Sequence, residues 1–195
     1  MRDAAFISLG YNYLKIAINC IDEMERQGNK DSVWSSGEHD NVELDRIFEN
    51  GIKWSDRTIG IPILFNFYHG VELILKGLIL RCGGKLPTGG SHDLSRLLSS
   101  LTKTHDAPDI ALTDFFNELI SYDPNGFFKS NNKEVSKYYE LLKYPELMDE
   151  TWVSAASLKG QEDVGLNNFL KVRDFAEQVK VNIRKWLTHK HSLVT

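Results

Sequence analysis

The segment from Pro62 to Cys82 constrains the fold more than any other, because its apolar residues leave no polar face for solvent. Ile63, Leu64, Phe67, Tyr68, Val71, Ile74, Leu75, Leu78 and Ile79 cover most of a helical circumference. A helix with that distribution has to be surrounded by other elements. Asn66, His69, Glu72 and Lys76 interrupt the run, which argues against a membrane span and for the centre of a helical bundle. Proline suits a first turn, so Pro62 is expected to open this helix, and Gly83-Gly84 to stop it.

The remaining segments supply the surround. Phe6, Tyr13, Ile16, Ala17, Cys20, Ile21 and Met24 recur at three- and four-residue steps, giving an amphipathic helix over Arg2 to Gln27 that ends near Gly28. Residues 28–60 are polar and glycine-punctuated and read as a long connection, with a short helix through Val42, Leu44, Ile47 and Phe48. Ser91 is the expected N-cap of a helix whose inner stripe is Leu94, Leu97, Leu98 and Leu101. Another helix follows Pro108, with Leu112, Phe115, Phe116, Leu119 and Ile120 inward, and stops before Asp123-Pro124. Residues 123–165 are partly irregular around a helix near Val135 to Leu142, with a weak strand signal near Trp152. The last helix, about Leu166 to Leu187, turns Phe169, Val172, Ala176, Val179, Ile183 and Leu187 to one side. The chain therefore reads as one all-α domain over residues 1–195, large enough to bury a core without disulfides.

Composition excludes some functions. A charge of −4 gives no general field for wrapping nucleic acid, so any such contact must be local. The N-terminus lacks the pattern of a secretory leader, and a cytoplasmic location is expected. Cys20 and Cys82 lack metal-ligand spacing and read as reduced thiols. His69-x-x-Glu72 could begin a metal site, but no second such pair appears, and neither a metal nor a cofactor is expected. The glycine-rich loop before Ser91 has Gly90 where a phosphate loop needs lysine, and a helix rather than a strand precedes it.

The run His69-Gly-Val-Glu72-Leu-Ile-Leu-Lys76, followed after that loop by Ser91-His92-Asp93-Leu94, resembles the central portion of HEPN domains. Leu142-Lys143-Tyr144-Pro145-Glu146 is similar to the basic-Tyr-Pro segment that many of them carry before their last long helix. The resemblance implies a four- or five-helix bundle, commonly a homodimer, and in many members a metal-independent ribonuclease of prokaryotic defence or toxin-antitoxin systems. It also implies an Arg followed by four to six residues and a His near the end of the last helix. Here that segment is Arg184-Lys-Trp-Leu-Thr-His189-Lys-His191, with Lys185 departing from the usual small polar residue. Family members without the pair act as noncatalytic modules that bind a nucleotidyltransferase partner or a nucleotide, and an antitoxin protein is a further expected partner.

Two sets of site residues follow. Arg184 and His189 stand roughly 140° apart on an ideal helix, whereas Arg184 and His191 return to within about 20°. Histidine can move the proton of a 2′-hydroxyl while arginine holds the phosphate, so Arg184 with His189 or His191 is the candidate catalytic set. The alternative is a solvated stripe near a loose end. His69, Glu72 and Lys76 lie within about 60° of one another and are candidate substrate-binding groups; the alternative is a Glu72–Lys76 pair within the helix and a His69 bonded to a neighbour. Trp34, Trp54, Trp152, Tyr138, Tyr139 and Tyr144 could stack bases or anchor loops. Asp93, beside His92, reads as helix-start chemistry.

Overall fold

A computed structural model describes residues 2–30, 32, 37, 39–89, 92–144, 152–159 and 163–192, with the backbone alone at 163 and 190–192. The chain is all-α, and no β-strand occurs among the described residues. The helices are α1 (Arg2–Gln27), α2 (Asn41–Ile52), α3 (Asp56–Arg81), α4 (Leu94–Thr102), α5 (Ile110–Ser121), α6 (Phe127–Ser130), α7 (Tyr138–Lys143) and α8 (Asp163–Ser192). Short 3-10 turns precede α6 and α7 and lie at Ala156–Leu158.

As its composition requires, α3 is the axis. Val71, Ile74 and Leu78 are fully buried, and the helix touches α1, α4, α7 and α8. By length and composition both α1 and α3 reach what a membrane crossing needs; 72% of the apolar stretch of α3 is buried in the core, against 22% for α1.

The start of α3 differs from the expectation at Pro62. The helix begins at Asp56, leaving Pro62 inside it. The reason lies 27 residues upstream: the Asn29 side chain accepts the Asp56 amide hydrogen at 2.7 Å and donates to its carboxylate at 3.1 Å. A cap supplied from the end of α1 satisfies an amide that local sequence leaves open. Asn29 reaches it from a left-handed backbone, φ 45°, a conformation asparagine tolerates.

Two further expectations are corrected. Asp93, rather than Ser91, caps α4, its carboxylate accepting from the Arg96 amide at 3.1 Å; Ser91 lies outside the described residues, as do Trp34, Pro145 and Glu146. On α1 the inward face is Gly10, Leu14, Ala17, Ile21 and Met24, while Ile16, expected inward, is 47% exposed. The 28–60 connection contains α2, as its Val42-to-Phe48 pattern suggests.

The α1 face is set by glycine. A Cβ placed on Gly77 would lie 2.5 Å from Ile7 Cγ1 and 2.9 Å from the Asp3 carbonyl oxygen, and one on Gly70 would lie 2.9 Å from the Gly10 carbonyl oxygen. Seven residues is two helical turns, so Gly70 and Gly77 share the face on which the α1 backbone rests. Gly77→Ala is expected to lose about 1–3 kcal/mol in urea unfolding, because the backbone contact cannot yield, even though alanine favours a helix by about 1 kcal/mol. An unchanged midpoint would mean that the two helices pack less closely.

Candidate functional site

Glu72 organises the polar interior. It projects from the middle of α3 and is 1% exposed, yet hydrogen-bond donors surround its carboxylate. Lys76, one turn on, donates to Oε1 at 2.6 Å. Tyr138, at the start of α7 and fully buried, gives its hydroxyl hydrogen to Oε2 in a short bond. His92, just before α4, lies with Nδ1 3.0 Å from Oε2 and 3.2 Å from Oε1. Burial pushes the Glu72 carboxyl upward, but His69, with Nδ1 at 3.7 Å, and the bonds from Lys76, Tyr138 and His92 outweigh it and hold the group at about 2. Burial, with the Glu72 charge beside it, drives the Tyr138 hydroxyl well above its ordinary value. The directions agree: the charge stays on the carboxylate and the proton on the phenol.

His69 stands at the edge of this network. Its ring stacks on Phe65, meets Tyr13 edge-on, and places Nδ1 3.3 Å from the Tyr138 hydroxyl. Thus His69, Glu72 and Lys76 are gathered as their spacing suggests, but with Lys76 12% exposed and every Glu72 oxygen engaged, their polar atoms serve one another. This is the arrangement of an internal Glu72–Lys76 pair with His69 bonded to a neighbour. Sequence reasoning missed His92 and Tyr138 as members. His92-Asp93 looked like helix-start chemistry, and Asp93 does cap α4, but His92 folds back across the glycine-rich loop onto α3.

The outer part of the cluster is open. The His92 side chain is 44% exposed and its ring lies flat on Tyr139, with centroids 3.9 Å apart and planes 13° from parallel. Lys143 donates to the Tyr139 hydroxyl at 2.7 Å and stands 5.2 Å from the Tyr144 ring centre. Beside them Lys137 and Asp93 pair at 2.6 Å, lowering the aspartate and raising the lysine.

Arg184 and His189 lie elsewhere, on the exposed side of α8. Arg184, Lys185 and His189 line one groove of about 610 Å³ with Val181 and Thr188, positions that fall on one broad face of the helix. Lys185 and His189 also border a cavity of about 390 Å³ against the start of α5, where Asp109, Leu112 and Trp186 form part of the wall. Burial raises the Tyr11 hydroxyl of α1, and the positive charge of Arg184 opposes the shift. The helix continues through Ser192, so Arg184 and His191 share a face along its backbone; the His191 side chain lies outside the described residues. Neither Arg184 nor His189 bonds to Glu72 in the described structure.

The aromatic residues divide by burial. Tyr138 is a core anchor and Tyr139 half-buried, whereas Tyr144 and Trp152 are 55% and 71% exposed. Among the described residues no three His, Cys, Asp or Glu side chains gather as metal ligands. The chain matches no family model, no curated protein and no solved structure.

Proposed function

We propose that this chain is a HEPN-like helical protein that binds RNA and cleaves it without a metal, acting as a cytoplasmic homodimer in a prokaryotic defence or toxin-antitoxin setting. The observation that carries the reading is that Arg184, Lys185 and His189 line a single open groove on α8. A phosphodiester entering it meets two cations and an imidazole. Arginine can hold the phosphate and its developing charge while histidine, His189 or His191, takes the 2′-hydroxyl proton. Local cations on an acidic protein suit contact with a few phosphates rather than wrapping.

The dimer is supported by α1. Leu9 and Ile16 are about half exposed on one side of a long helix whose most apolar stretch is only 22% buried. A second copy seated there would cover that apolar surface. Light scattering is expected to give twice the 22.3 kDa chain mass, and a monomer persisting at high concentration would contradict the dimer.

The test of cleavage is incubation of mixed RNA with purified protein in chelator. The wild type should cleave and Arg184→Ala should not. A second reading, a noncatalytic module for a nucleotidyltransferase partner or a nucleotide, is favoured by Lys185 in the polar slot and by the internal pairing of Glu72 and Lys76. It is the reading that survives if the wild-type protein leaves RNA intact.

A further inference from the structure

The surface formed by His92, Tyr139, Lys143 and Tyr144 is separate from the α8 groove, and its chemistry points to a ligand. His92 is fixed on two sides, with Nδ1 held by the buried Glu72 carboxylate and one ring face covered by Tyr139. With Nδ1–H donating to Glu72, Nε2 is the nitrogen left for an outside group, and it has no partner among the described residues. The ring is thus held on a rigid support at 44% exposure, so little orientational entropy is lost on binding.

At the hydroxyl end of the same tyrosine, Lys143 lies 4.6 Å from the ring centre and bonds the hydroxyl at 2.7 Å. Among the described residues it has no carboxylate partner, whereas Lys76, Lys133 and Lys137 each pair with an acid. Next to it the Tyr144 ring is 55% exposed, an apolar plane of the kind on which a base stacks. An oriented imidazole, an ammonium without a carboxylate partner among the described residues and a half-exposed aromatic ring make up the recognition set for one nucleotide.

We propose that this surface binds one nucleotide of a single-stranded RNA, its phosphate between His92 Nε2 and Lys143 Nζ and its base on Tyr144. The choice of RNA as the source of the nucleotide rests on the function proposed above; the recognition chemistry does not. Glu72 then has a role as a positioning residue, holding His92 by Nδ1 and binding no ligand itself.

Adenosine 5′-monophosphate is the probe, followed by NMR of the histidine ring protons and by calorimetry on the full chain. The expected result is saturable binding that shifts the His92 signals and weakens by at least about tenfold for adenosine, for His92→Ala and for Lys143→Ala, since each removes a charge-assisted bond. Lys143 is exposed and outside the Glu72 network, so Lys143→Ala keeps the fold and guards against a His92→Ala variant that unfolds. Binding with unmoved His92 signals and full affinity in both variants, or no binding, overturns the proposal. The two ideas separate cleanly. RNA cleaved and bound equally by wild type and both variants removes this subsite and leaves the α8 reading, whereas nucleotide binding at His92 without RNA cleavage does the reverse.

Discussion

Glu72→Ala is expected to destabilise the protein by about 3–5 kcal/mol, the range for removing one partner of a buried ion pair. The loss is more than one bond. Lys76, at 12% exposure, is left as an ammonium without a counter-charge, the buried Tyr138 hydroxyl loses its acceptor, and His92 loses the group that orients it. Lys76→Met in that background should recover part of the loss, because the stranded charge is gone. Acid offers a second measurement. The Glu72 carboxyl is held from 4.5 down to about 2, so its contribution is fully present above pH 4.5 and disappears as pH falls through 2. Wild-type stability should therefore decline by about 3 kcal/mol more over that interval than Glu72→Gln does. A Glu72→Ala variant that loses less than about 1 kcal/mol would show that the carboxylate is not the centre of the network.

What the sequence reveals and conceals about this fold follows the range of each interaction. The circumference of α3 and the bounds of α1 come from periodicity along a single segment, and both appear in the structure. The start of α3 does not, because Asn29 caps it from 27 residues away, and a proline inside a helix looks locally like its first turn. The exposure of Ile16 on α1 has a similar cause. Gly10 faces the core because Gly70 and Gly77 admit a backbone there, and a glycine shows such an approach only when its partner is known. At the polar centre, Glu72 and Lys76 are legible as neighbours one turn apart. His92 and Tyr138 are respectively 20 and 66 residues from Glu72, and nothing periodic joins them. Their only signal is chemical: a buried carboxylate on the central helix needs more than one donor, which implies partners outside α3.

Arg184→Ala is expected to lower RNA cleavage by roughly 100- to 1,000-fold, the cost of losing a donor that stabilises transition-state charge, about 2.7–4 kcal/mol. Stability should hardly change, since the guanidinium is exposed and makes no ion pair among the described residues. That separation makes the variant informative: a fall in rate with an unchanged unfolding midpoint cannot be attributed to the fold. Arg184→Lys should restore only part of the rate, because an ammonium keeps the charge and loses the planar fork that grips two phosphate oxygens. His189→Ala and His191→Ala, measured separately, assign the proton acceptor. His189 shares the groove with Arg184, whereas His191 shares its helix face two turns away, so only one should fall as far as Arg184→Ala. Cleavage that persists at the wild-type rate in Arg184→Ala would leave the α8 groove without a role in catalysis.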